Sequence, residues 1–138
     1  MEFIDGNEFI DNIDDLNNSF SSINLSYSDL NNTLVLVDDG VIGLITYEKF
    51  GNLGLVKYFV IKKKVENEIK NFFEFFVNKV KLSIDSLFIF SNNEDFDTIS
   101  TLGFEKTNYS NIYIGEVNYL KTDYKNKHLY ILDFIKYS

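Results

Sequence analysis

A chain of 138 residues that is 45% hydrophobic and 17% aromatic has a globular composition and the length of one domain with one core. It contains no Cys, which excludes a disulfide framework, a thiolate nucleophile and a cysteine metal site. Its formal net charge of −8 speaks against nucleic acid as a partner, because phosphate binding rests on basic surface.

Arg is also absent, together with Pro, Trp, Ala and Gln. An AT-rich coding sequence accounts for that bias. One consequence is physical: no bidentate guanidinium clamp is available, and anions can be met only by Lys point charges. The start, Met1-Glu2-Phe3-Ile4-Asp5, has neither the basic nor the apolar region of a signal peptide. No apolar run approaches the roughly 20 residues that span a bilayer. A soluble cytoplasmic protein with no membrane partner is expected.

Asn7 to Phe20 reads as a helix, with Phe9, Ile10, Ile13, Leu16 and Phe20 at helical spacing and acidic residues opposite. The polar stretch Asn17 to Asn32 reads as a connection holding a short helix near Ser26 to Leu30. Thr33 to Val37 is a short apolar strand. Asp38-Asp39-Gly40 is a hairpin signal, since Asp-Gly supplies positive φ. Val41 to Tyr47 returns, Lys49-Phe50-Gly51-Asn52 turns again, and Leu53 to Ile61 is a third strand.

Val65, Ile69, Phe72, Phe73, Phe76, Val77 and Val80 recur at helical spacing with polar residues between them. They predict an amphipathic helix of about four turns; Phe75 falls outside its apolar stripe. Ser86 to Phe90 has the almost wholly apolar pattern of a strand buried on both faces. A strand, a helix and a strand in that order imply a parallel pair with a right-handed crossover. Asp95 to Thr101 reads as a short helix. Ile112 to Tyr119 and His128 to Tyr137 read as late strands joined by a turn at Asp123 to Lys127. The sum is one α/β (α+β) domain over residues 1–138, a mixed central sheet with helices on both faces.

This element order resembles the GNAT superfamily of N-acyltransferases. The resemblance rests most on Asn92 followed eleven residues later by Gly103-Phe104, within Leu102-Gly103-Phe104-Glu105. The hairpin from Leu34 to Gly43 adds to it, and it covers about Thr33 to Lys106. It implies an acyl-CoA-dependent N-acetyltransferase, with acetyl-CoA as cofactor, a small amine or peptide as acceptor and no metal. It also implies that the strands beginning at Leu53 and Ser86 part toward their C-terminal ends.

In the family, a loop between the third strand and the long helix cradles the coenzyme A diphosphate on backbone N–H groups at the helix start, where glycines allow close approach. The matching register takes Val60 as the end of the strand. It puts Val65 at the family's Arg or Gln position and Glu66, Glu68 and Lys70 at its glycine positions. Lys62, Lys63 and Lys64 are then the groups able to reach a diphosphate, with Val60 and Asn92 completing the candidate cofactor set. A solvated strand end is the alternative reading of the three lysines.

The family's tyrosine acid falls on Ile99, and its glutamate base on Gly54. Glu48 and Tyr58 are the candidate substitutes, since a carboxylate and a phenol can serve acid–base chemistry when their pKa values are shifted; each also reads as an ordinary strand residue. A GNAT-like module that has lost catalysis and serves binding or regulation is therefore carried beside the enzyme, and an unrelated α+β domain is the third reading. His128, the one histidine, is without a Ser or Cys partner pattern. Asp11, Asp14 and Asp15 lack calcium-loop spacing. Tyr109, Tyr113, Tyr119 and Tyr124 read as strand aromatics or as lining of a pocket.

Overall fold

The computed structural model describes residues 1–107 and 128–137. The expected strand Ile112 to Tyr119, the turn at Asp123 to Lys127 and Tyr109, Tyr113, Tyr119 and Tyr124 lie outside the described residues. The strands are β1 (Glu2–Asp5), β2 (Thr33–Val37), β3 (Val41–Phe50), β4 (Leu53–Ile61), β5 (Ser86–Ser91), β6 (Glu105–Thr107) and β7 (His128–Asp133). They form a seven-stranded mixed sheet in the order β1-β2-β3-β4-β5-β7-β6. The helices are α1 (Ile13–Asn18), α2 (Ile69–Val80), α3 (Phe96–Thr101) and α4 (Phe134–Tyr137). The chain divides into two compact units, Met1–Glu48 with Val56–Leu82, and Lys49–Leu55 with Ser83–Ser138.

In the first unit the β2–β3 hairpin forms where Asp-Gly predicts it, with Asp39 at φ 53° and Gly40 at φ 111°. The antiparallel register runs from Thr33↔Thr46 to Val37↔Val41, with an irregularity between Leu36 and Val37. β2 is apolar on both sides because both sides are covered. Val35 faces a core of Ile13, Leu16, Ile23, Leu25, Leu30 and Leu44, against which Phe9, Phe20, Tyr58 and Val60 pack. The opposite side carries α2, whose Phe72, Phe73 and Phe76 are at most 1% exposed. Phe59 stacks on Phe73 with centroids 5.8 Å apart, and Tyr47 meets Phe76 edge-on at 5.7 Å. Each buried phenyl of this layer contributes about 1.5–3 kcal/mol.

Three expectations in this unit need correction. The first strand, β1, has no counterpart in the sequence reading; it pairs antiparallel with β2, Phe3 opposite Leu36, and is too short to show alternation. The helix expected from Asn7 to Phe20 is split into a 3-10 turn (Gly6–Asn12) and α1, because Asn12 leaves the helical region at φ −131°, ψ 29°. The long helix begins at Ile69 rather than Val65. Residues Lys63–Glu68 form a 3-10 turn in which Val65 is non-helical (φ −124°, ψ 21°). The apolar stripe therefore runs one turn beyond the α-helix that owns it.

In the second unit β5 pairs in parallel with residues 53–55 of β4, from Leu53↔Ser86 to Leu55↔Phe88. β5 also pairs antiparallel with β7 along its whole length, Ser86↔Asp133 to Ser91↔His128. The Leu102-Gly103-Phe104 turn is a Schellman motif. Gly103 takes φ 102°, its N–H donates to the Ser100 carbonyl (3.0 Å), and the Phe104 N–H donates to the Ile99 carbonyl (3.2 Å). Ile99 and Phe104 are both buried, supplying the apolar contact that accompanies this geometry. β7 ends at Asp133, short of the Tyr137 end expected. There the Asp133 carboxylate accepts the Ile135 N–H (3.0 Å) and starts α4.

Candidate functional site

The link between β4 and α2 lies wholly in the first unit. The Lys62 N–H donates to the Ile42 carbonyl at 2.8 Å, and the Lys62 carbonyl accepts the Val65 N–H at 3.0 Å. These two bonds fix where strand gives way to turn. Lys62, Lys63 and Lys64 are all exposed. The Lys62 ammonium lies 5.8 Å from the Phe20 ring centroid, in cation–π range. Among the described residues Lys63 and Lys64 have no carboxylate within ion-pair distance. The N-cap side chains Lys62 and Glu68 make no capping hydrogen bond, and the Ile69 N–H that opens α2 donates to the Glu66 carbonyl of the preceding turn.

The residues assigned to the glycine positions fall in the 3-10 turn and at the start of α2. Glu66 and Lys70 are exposed; Glu68 is half-buried and accepts a hydrogen bond from the Asn71 amide at 3.3 Å. Glu68 sits at the N-cap of α2, where a carboxylate is favoured by the helix dipole. The loop therefore offers an anion lysine charge rather than bare backbone. A carboxylate near a bound phosphate opposes it by about 1 kcal/mol at 4 Å in water, and three mobile ammonium groups can offset that.

The structure brings Glu48 and Tyr58 together around Lys57, a residue the sequence reading passed over. The Lys57 ammonium lies 3.2 Å from both carboxylate oxygens of Asp29, 3.7 Å from Glu48 Oε1 and 5.7 Å from the Tyr58 ring centroid. Phe59 packs on the α2 side and Tyr58 against the α1-side core, while the long Lys57 side chain reaches the Asp29 carboxylate.

Asp29 is the fixed end of this cluster. It belongs to the 3-10 turn Tyr27–Asn32 and closes a capping box with Ser26, accepting that residue's N–H at 2.8 Å and its hydroxyl at 3.1 Å. The Asp29 carbonyl accepts from Thr33 Oγ1 at 2.6 Å, and Thr33 shares a 2.7 Å hydroxyl contact with Thr46. Burial works against the Asp29 charge, but the Ser26 N–H and the Lys57 ammonium outweigh it and hold the carboxyl below its ordinary value. Burial likewise works against the Lys57 charge, and Asp29 with Glu48 holds its ammonium above the ordinary value. Glu48 is the open end of the cluster, its side chain 40% exposed.

One signal could have found Lys57: a single charge inside the otherwise apolar run Leu53-Gly54-Leu55-Val56-Lys57-Tyr58-Phe59. Val60 packs against the α1-side core rather than standing free. Asn92 belongs to the second unit; it is exposed, and its carbonyl accepts the Asp95 N–H at 3.2 Å. Ile99, at the family's tyrosine position, is 5% exposed and packed as hydrocarbon. Gly54 is buried in the β4–β5 ladder. That ladder has three pairs, while β4 runs on to Ile61 and β5 to Ser91. Among the described residues no group of three His, Asp or Glu side chains is placed to hold a metal ion, and no helix is long and apolar enough to cross a membrane.

Known structures share this fold. N-acetylglutamate synthase from Neisseria gonorrhoeae, crystallised with coenzyme A and L-arginine, superposes with a TM-score of 0.73 over 96% of this chain at 15% identity. A Mycobacterium tuberculosis protein in complex with CoA gives 0.68 over 96% of this chain and 99% of its own length, at 11% identity. A GNAT-family acetyltransferase from Staphylococcus aureus Mu50 gives 0.61 over 96% of this chain and 98% of its own, at 13% identity. The fold is GNAT-like. This GNAT-like chain spans about a third, 32%, of the Neisseria synthase chain. No protein-family model matches the sequence, and no curated protein matches it either.

Proposed function

We propose that this chain is an acyl-CoA-dependent N-acyltransferase acting on a small amine or a peptide amine. The observation that carries the reading is the GNAT-like fold, shared with structures crystallised with coenzyme A. The three-pair β4–β5 ladder and the exposed lysines between β4 and α2 support it. Lys62, Lys63 and Lys64 would hold the diphosphate as point charges. Bound acyl-CoA supplies the acyl group as a thioester. Glu48 is the carboxylate with access to solvent and serves as the base that takes a proton from the acceptor ammonium, with the Lys57 ammonium beside it at 3.7 Å. Tyr58, beside the same ammonium, is the hydroxyl available to return a proton to the departing thiolate.

A second reading, a GNAT-like module that binds without catalysis, is favoured by one observation. The tyrosine position is occupied by Ile99, buried hydrocarbon that can move no proton. Calorimetry with acetyl-CoA, followed by an acetylation assay on a panel of polyamines, amino acids and peptides, separates the two. Saturable binding with turnover that is lost in Glu48→Gln supports the enzyme. Binding without turnover supports the module. No heat at millimolar acetyl-CoA, with no shift in melting temperature, sinks the first reading.

A further inference from the structure

Away from the β4–α2 link, the first unit has a second open feature at the start of the chain. β1 ends the sheet, so among the described residues only β2 pairs with it. Its other edge presents backbone donors and acceptors to a newcomer. Beside that edge runs an open groove of about 660 Å³, with Phe3 and Asp5 of β1 on one wall and Phe75, Asn78 and Lys79 of α2 on the other. Phe75, Asn78 and Lys79 are spaced i, i+3 and i+4 and so share one helix face. Phe75 remains 43% exposed although its ring lies 4.5 Å from that of Phe3. An aromatic side chain left half in water beside an unpaired strand edge is the arrangement that strand-addition sites use.

Charge selects the occupant. Asp5 is paired with Lys79 inside the chain. Glu2 and Glu8 are exposed, and among the described residues neither has a cation within ion-pair distance. Glu8 lines the groove and Glu2 begins the strand. A second copy of this chain suits the edge poorly. Antiparallel pairing of two full β1 strands sets Glu2 opposite Asp5 of the other copy, and like charges directly opposite destabilise a ladder. Each copy also brings a net charge of −8.

We propose that the β1 edge and its groove bind an extended segment of a partner protein in which lysine or arginine alternates with apolar residues. The segment would add as a strand beside β1. Its apolar side chains would fall on Phe3 and Phe75, and its cations would meet Glu2 and Glu8.

The test uses the full chain, 15N-labelled, and a blocked heptapeptide alternating lysine with phenylalanine; the same peptide with glutamate for lysine is the control. Expected are amide shift changes concentrated on residues 2–8 and 75–79 with the lysine peptide only. Affinity should fall about tenfold or more in Phe75→Ser and in Glu8→Lys. It should be unchanged in Leu82→Ser, which removes a still more exposed apolar side chain outside the groove. Shift changes scattered over the acidic surface, equal binding of the glutamate peptide, or undiminished binding by Phe75→Ser would overturn the proposal. So would a concentration-dependent dimer in sedimentation that Ile4→Pro abolishes. Should Phe75→Ser fail to fold, Glu8→Lys, on an exposed turn, decides the matter alone.

Discussion

Lys57 and the triplet Lys62, Lys63 and Lys64 stand five to seven residues apart on one stretch of chain, yet they are in opposite situations. Lys57 is locked: both oxygens of a nearly buried carboxylate hold it, a second carboxylate flanks it, and its charge is stabilised by them. Lys63 and Lys64 project into solvent with no acid in reach among the described residues. A lysine whose charge is already answered contributes to stability and to setting its neighbours. A lysine whose charge is unanswered costs the fold little and is free to answer an incoming anion.

Mutation can break this contrast in graded steps. As a yardstick, Phe73→Ala empties the aromatic layer under α2 and should cost about 3–5 kcal/mol in urea unfolding. Asp29→Ala removes the capping carboxylate and strands the Lys57 ammonium, and should cost about 2–3 kcal/mol. A loss under about 0.5 kcal/mol would mean that Lys57 is no more locked than the triplet. Replacing Lys62, Lys63 and Lys64 together by Gln should change stability by no more than about 0.5 kcal/mol. It should still weaken acetyl-CoA binding about tenfold or more, read by calorimetry. Equal binding would remove the lysines from the cofactor site.

The smallest effect is a pH dependence, and its sign follows from the two shifts. Asp29 has a lowered folded pKa, so its contribution is present above the unfolded value of about 3.9 and is lost as pH falls through the folded value. Lys57 has a raised folded pKa, so its contribution is present below about 10.4 and is lost as pH rises through the folded value. The stability gap between wild type and Asp29→Asn should be level from about pH 5 to 9. It should narrow below about pH 4. A gap that persists unchanged at pH 2.5 would show that the carboxylate charge is not what holds the cluster.

The contrast also marks what can be read from sequence. The hairpin, β4, most of α2, β5 and the Leu-Gly-Phe turn were legible because each is set by local pattern: an Asp-Gly pair, a short apolar run, a helical stripe, a glycine with positive φ. The Asp29–Lys57 cluster was not, since its partners are 28 residues apart and neither belongs to a short motif. β1 was missed because four residues with acidic ends show no alternation. The start of α2 was misplaced because Val65 continues the spacing of the stripe in sequence while its backbone is not helical.

The β2–β3 hairpin has a consequence for the order of events in folding. Its turn, Asp38 to Gly40, brings Val37 opposite Val41 across three residues, and a hairpin of that kind closes in about 1–10 μs. The β4–β5 ladder must wait for α2 and its flanking turns, because Leu53 meets Ser86 only after the intervening chain has been gathered. The hairpin is therefore the expected seed and the parallel pair a late arrival. Truncating Val35 should slow folding, whereas truncating Leu87 should mainly speed unfolding. Stopped-flow kinetics showing the reverse would place the nucleus at the parallel pair.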